Sequence, residues 1–62
     1  MCLSNVYTRT GDEDKLVCQF VSSIAVDGDD ITITDVIGEE THITGTIVSV
    51  DLVKNTVIVS AA

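Results

Sequence analysis

From residue 15 to residue 60 this 62-residue chain is a succession of short runs rich in Val, Ile and Thr, each closed by a break containing Gly, Asp or Ser. β-Branched side chains pack well on a pleated surface and lose rotamer freedom in a helix, so such runs are strand-forming material. No helical pattern intervenes between them and there is no proline. The expected fold class is therefore all-β: a small barrel-like or strongly curved antiparallel sheet of five or six short strands. A chain of this length has room for one core, so residues 1–62 are read as a single domain.

Along the chain, residues 2–8 (CLSNVYT) form a first strand, and Thr10 to Asp14 an acidic, glycine-containing turn. Residues 15–21 alternate, placing Leu16, Cys18 and Phe20 on one face and Val17, Gln19 and Val21 on the other. Cys18 is then a small hydrophobe buried between bulky neighbours. Ser22-Ser23 interrupts the run. Residues 23–26 pair with residues 31–34 across Asp27-Gly28, since Asp-Gly between branched aliphatics is a strong hairpin signal. The next break is Gly38-Glu39-Glu40. In residues 41–50 the apolar register changes between Ile43/Ile47 and Val48/Val50, which predicts a bend or bulge near Gly45 or Val48. Residues 51–55 connect to a last strand in which Val57, Ile58 and Val59 are apolar on both faces, as for a strand covered by its own core and by a partner subunit.

An apolar content of 45% is more than one thin core of this size hides, and a two-fold homodimer is the simplest remedy. Ten acidic residues against Arg9, Lys15 and Lys54 give a formal charge of −7. A surface this poor in cations argues against nucleic acid and against anionic membranes. The chain has no apolar run long enough to cross a membrane, no secretory signal, and two cysteines that do not make a disulfide scaffold. It reads as cytoplasmic and reduced.

Residues able to do chemistry are few. His42 is the only histidine and lies near Glu39 and Glu40, as a surface histidine beside acids does, with second-shell or distal metal ligation as its sharper reading. Asp27, Asp29 and Asp30 lack the spacing and closing Glu of a calcium loop and read as a solvated turn. Neither a metal-binding nor a phosphate-binding motif occurs, and no serine has a recognisable histidine partner, so an enzyme is not expected. Cys2 differs through its position. A thiolate is a soft ligand suited to nickel, copper(I) or zinc. If Met1 is removed, the α-amine and thiolate of Cys2 close one chelate. If Met1 is retained, its amine, the Cys2 amide nitrogen and the thiolate line up on one metal. Planar nitrogen and sulfur donors favour Ni(II) or Cu(II) over tetrahedral zinc, and a two-fold dimer bringing two termini together completes such a site. Position alone fits equally a plain first residue of a strand.

The opening Met1-Cys2-Leu3-Ser4-x-Val6-Tyr7 resembles the start of the CooT family of small nickel-binding proteins. The resemblance continues through Ile24-x-Val26-Asp27-Gly28-Asp29, Asp35-Val36-x-Gly38-Glu39 and Gly45-x-Ile47-x-x-Val50-Asp51-Leu52 to the final apolar strand. It implies a homodimeric β protein whose Cys2 binds Ni(II), acting as a nickel-handling accessory protein or metallochaperone for carbon monoxide dehydrogenase or its maturation proteins. Cys18 and His42 match no ligand position and keep their structural readings. Members of such families have also been labelled RNA-binding, and a small non-catalytic interaction or RNA-binding module is the alternative, against which the charge of −7 stands.

Overall fold

The computed structural model describes residues 3–61, which form strands β1 (Ser4–Thr10), β2 (Glu13–Asp27), β3 (Asp30–Asp35), β4 (Glu40–Asp51) and β5 (Thr56–Ala61). Consecutive strands pair antiparallel, and β5 returns to β1 to close the ring. The closing pair is parallel, running from Asn5 opposite Thr56 to Arg9 opposite Ser60. That follows from the count: when five strands reverse at every turn, the first and fifth point the same way. The all-β, strongly curved architecture read from the sequence is the observed one, with this parallel seam in place of a wholly antiparallel sheet.

The Asp27-Gly28 hairpin forms in the expected register, with Ser23 opposite Thr34, Ile24 opposite Ile33, Ala25 opposite Thr32 and Val26 opposite Ile31. Gly28 has φ +62°, the left-handed conformation such a two-residue turn requires. Ser22-Ser23, in contrast, does not end a strand. β2 runs unbroken for 15 residues because the irregularity is absorbed as a bulge. Phe20 takes φ +56°, the register shifts between Val21 and Ser23, and the Ser22 hydroxyl is shared between the carbonyls of Thr34 and Asp35, each at 3.2 Å. Two further shifts lie where β2 meets β1, on either side of Val6.

These bulges upset the simple alternation of β2. Leu16 and Phe20 were expected on the core face and are 43% and 59% exposed, whereas Val21, from the other predicted face, enters the core. Cys18 is half-buried against that core rather than enclosed. The bend expected in β4 falls at Val48, where the register shifts between Ile47 and Ser49. Gly45 serves a different purpose. It lies opposite Ala61, and a Cβ there would overlap the Ser60 carbonyl oxygen.

Val6, Val21, Ile31, Ile33, Val57 and Val59 form the buried core, with Cys18, Ile24, Ile43 and Ile47 packed against it. Each fully buried branched aliphatic contributes roughly 1.5–3 kcal/mol relative to exposure. Ile58 lies on the other face of β5 and is half-buried.

Candidate functional site

Cys2, the residue the sequence singles out, lies outside the described residues, as does Met1. The described chain begins at residue 3. Ser4 begins β1 opposite Val21 of β2. On the other side of β1, the Asn5 amide donates to the Asn55 carbonyl at 2.9 Å, and Asn5 faces Thr56 at the start of β5. β1 therefore begins between the bulged middle of β2 and the β4–β5 turn.

A second loop reaches the same end. Val21 also pairs with Asp35, the last residue of β3, and the Val36 amide donates to the Phe20 carbonyl at 2.9 Å. Both loops are held by the same device. Asp35 Oδ1 accepts from the amides of Ile37 and Glu39, each at 3.0 Å. Asp51 Oδ1 accepts from the amides of Val53 at 3.0 Å and Lys54 at 2.9 Å. An aspartate that bonds to backbone N–H groups two to four residues ahead replaces the strand ladder with a side-chain-braced turn. The segments that do this, Asp-Val-Ile-Gly-Glu and Asp-Leu-Val-Lys-Asn, share an aspartate followed by two aliphatics. Sequence reasoning treated them as plain connections; an aspartate at the end of an apolar run, with Gly or Asn a few positions on, is the signal that identifies both.

Cys18 and His42 are placed apart. Cys18 lies opposite Val6 on the β1–β2 side, whereas His42 lies opposite Thr32 on β3. The His42 ring is 71% exposed, with Nδ1 3.0 Å from the Thr32 hydroxyl and Nε2 3.9 Å from Glu40 Oε1. It is the surface histidine beside acids that the sequence suggested, lining an open groove with Asp27, Asp30, Thr32 and Ile43. Among the described residues no group of three or more His, Cys, Asp or Glu side chains is arranged to hold a metal ion.

Charged side chains also cluster at the two tips of the ring formed by the β1–β2 and β2–β3 turns. At the β1–β2 tip, Arg9 Nε donates to Asp14 Oδ1 at 2.8 Å and Nη2 to Oδ2 at 3.2 Å, the two residues being cross-strand partners. The guanidinium hydrogen bond and charge hold the Asp14 carboxyl below the usual carboxylate range, and Arg9 is raised in turn. Asp27, Asp29 and Asp30 are exposed at the β2–β3 tip.

The described chain is thus a small five-stranded closed β ring whose first strand begins between two braced loops. Comparison with known proteins gives the family: the model for the CO dehydrogenase accessory protein CooT matches residues 1–60, and the chain belongs to the CooT family. These are accessory proteins and not enzymes. The crystal structure of a Carboxydothermus hydrogenoformans protein assigned as CooT has a TM-score of 0.90 over 98% of each chain at 16% identity, a likeness of fold. No curated protein matches the chain. Among the described residues no helix is long and apolar enough to cross a membrane.

Proposed function

We propose that this chain, a single domain over residues 1–62, is a nickel-binding accessory protein that holds Ni(II) through the Cys2 thiolate and N-terminal nitrogen donors and passes it on. The observation that carries the reading is the family match, which spans residues 1–60 and so includes the terminal cysteine. The chemistry of that terminus agrees with it, because a thiolate next to an amine or amide nitrogen forms the compact nitrogen–sulfur chelate that square-planar Ni(II) prefers. With Cys2 leading the chain, one terminus offers two donors, and a homodimer sharing one ion supplies four. The free thiolate suits a reducing cytoplasm.

The recipient in this reading is a nickel enzyme such as carbon monoxide dehydrogenase, or one of its maturation proteins, in keeping with the family's description. The RNA-binding alternative has less to rest on, since Lys and Arg number three in all and Arg9 is engaged with Asp14. Equilibrium dialysis tests the proposal, with intact mass recording the state of Met1. Wild-type protein takes up one Ni(II) per two chains and Cys2→Ser none; equal uptake by the two refutes it.

A further inference from the structure

We propose that the outer face of β2, β3 and β4 is a docking groove for a basic, extended segment of a partner protein, one that carries two Lys or Arg residues four positions apart. Ile31 and Ile33 are buried in the core, so Asp30, Thr32 and Thr34 of β3 point out of the ring. Their cross-strand partners complete three rows on that face. Asp27 and Thr44 flank Asp30, Ala25 and His42 flank Thr32, and Ser23 and Glu40 flank Thr34. The first two rows line an open groove of about 370 Å³.

Between its ends the groove has a floor of short side chains, Ala25, Thr32 and Thr44, on which a peptide backbone can lie. Carboxylates stand at both ends. Asp27 and Asp30 mark the hairpin end; Glu40 marks the other, just past His42, with Oε1 3.9 Å from the His42 Nε2. From Asp30 to Thr34, the partner of Glu40, is four residues of β3, about 13 Å at the usual strand rise. An extended peptide presents residues four apart on one side at the same spacing, so two cations placed that way reach both ends together.

Charge complementarity selects the occupant. Arg9 in β1, Lys15 at the start of β2 and Lys54 in the β4–β5 turn are all the Lys and Arg of the sequence, and none lies on this face. A second copy, itself of formal charge −7, meets these carboxylates with like charge, as nucleic acid does. An ammonium or guanidinium instead gains a charge-assisted hydrogen bond at each end, and the net charge of the chain speeds its approach. Every strand of the ring already pairs on both sides, so the segment lies across the face rather than joining the sheet as a further strand. Nickel binding at Cys2 plays no part in this contact.

Fluorescence anisotropy on the full chain at low ionic strength tests the groove, with a labelled heptapeptide of Ser and Thr that carries Lys at its second and sixth positions. Wild-type protein binds it more tightly than a peptide of the same composition with the two Lys adjacent. Asp27→Asn/Asp30→Asn, and separately Glu40→Gln, weaken binding about fivefold, the order expected for losing exposed ion pairs. Asn-Gly makes the same hairpin turn as Asp-Gly, so the double variant keeps its fold. Asp12→Asn/Glu13→Gln removes as much charge at the β1–β2 tip and binds as wild type does. In amide NMR spectra the peptide shifts Thr32, His42 and Thr44. No binding, equal binding of the adjacent-Lys peptide, or an equal loss in Asp12→Asn/Glu13→Gln overturns the proposal. So do shifts at those amides that follow protein concentration without peptide, which assign the face to a second copy.

Discussion

Gly45→Ala places a methyl group against the backbone of β5. The added Cβ would overlap the Ser60 carbonyl oxygen and lie 3.1 Å from the Ser60 carbonyl carbon and 3.2 Å from Ala61 Cα. All three are backbone atoms, so no side chain can rotate away and the two strands must separate. Forcing an extra carbon into packed structure costs about 1–3 kcal/mol, and the rigid neighbours here argue for about 2 kcal/mol or more. At roughly 0.05–0.15 kcal/mol per residue, a chain of this length has a total stability of about 3–9 kcal/mol. A loss of 2 kcal/mol lowers Tm by about 8–16 °C in a domain this small. Gly28→Ala is the control: nothing lies within 4 Å of its added Cβ, and the cost comes only from φ +62°. That conformation costs an L-residue roughly 1–2 kcal/mol. Thermal unfolding followed by circular dichroism, at matched chain concentration, should rank Gly45→Ala as at least as damaging as Gly28→Ala. A Gly45→Ala variant melting within about 2 °C of wild type, far short of the worked shift, refutes the close-approach argument.

Ile33→Ala empties a position that is 1% exposed in a core of few residues, and urea unfolding should register a loss of about 2–5 kcal/mol, enough to leave much of the population unfolded. Asp51→Ala removes the acceptor shared by the Val53 and Lys54 amides; hydrogen exchange at those two amides should accelerate at least tenfold, while exchange at Ile33 stays unchanged. Asp14 titrates below the usual carboxylate range because of Arg9. Its depressed folded value means that the pair's small, solvent-screened contribution to stability is present above the unfolded carboxylate pKa and is lost as pH falls through the folded one. Carboxyl-detected NMR should show the Asp14 midpoint moving upward in Arg9→Gln.

The parts of the fold legible in the sequence are those set by local chemistry. Asp27-Gly28 specifies its own turn, and the turn then dictates the pairing of Ile24 with Ile33 and Val26 with Ile31. The register conflict between Ile47 and Val50 likewise called for a bulge, which the chain supplies at Val48. What a period-two reading of β2 missed is non-local. Phe20 in a left-handed conformation and the shifts around Val6 turn the strand over, so that Val21 faces inward and Leu16 and Phe20 outward. Ser22 looks like a break because a serine pair usually ends an apolar run; its hydroxyl instead reaches two β3 carbonyls that no local pattern places beside it. The parallel β1–β5 seam follows from closure and leaves no trace in either strand alone. His42 was legible as a surface histidine, and Cys2 stood out through its position, but the bracing of residues 35–39 and 51–54 by Asp35 and Asp51 emerges only once the loops are folded.

Nickel K-edge X-ray absorption on protein loaded with one Ni(II) per two chains tests the assignment of Cys2 most directly, because it counts the sulfur donors on the metal. Wild-type protein is expected to give a four-coordinate planar site with thiolate sulfur and nitrogen donors, and Cys2→Ser, which holds no nickel, only the spectrum of the free aqua ion. A six-coordinate site of oxygen and nitrogen donors, identical in the two proteins, contradicts the assignment.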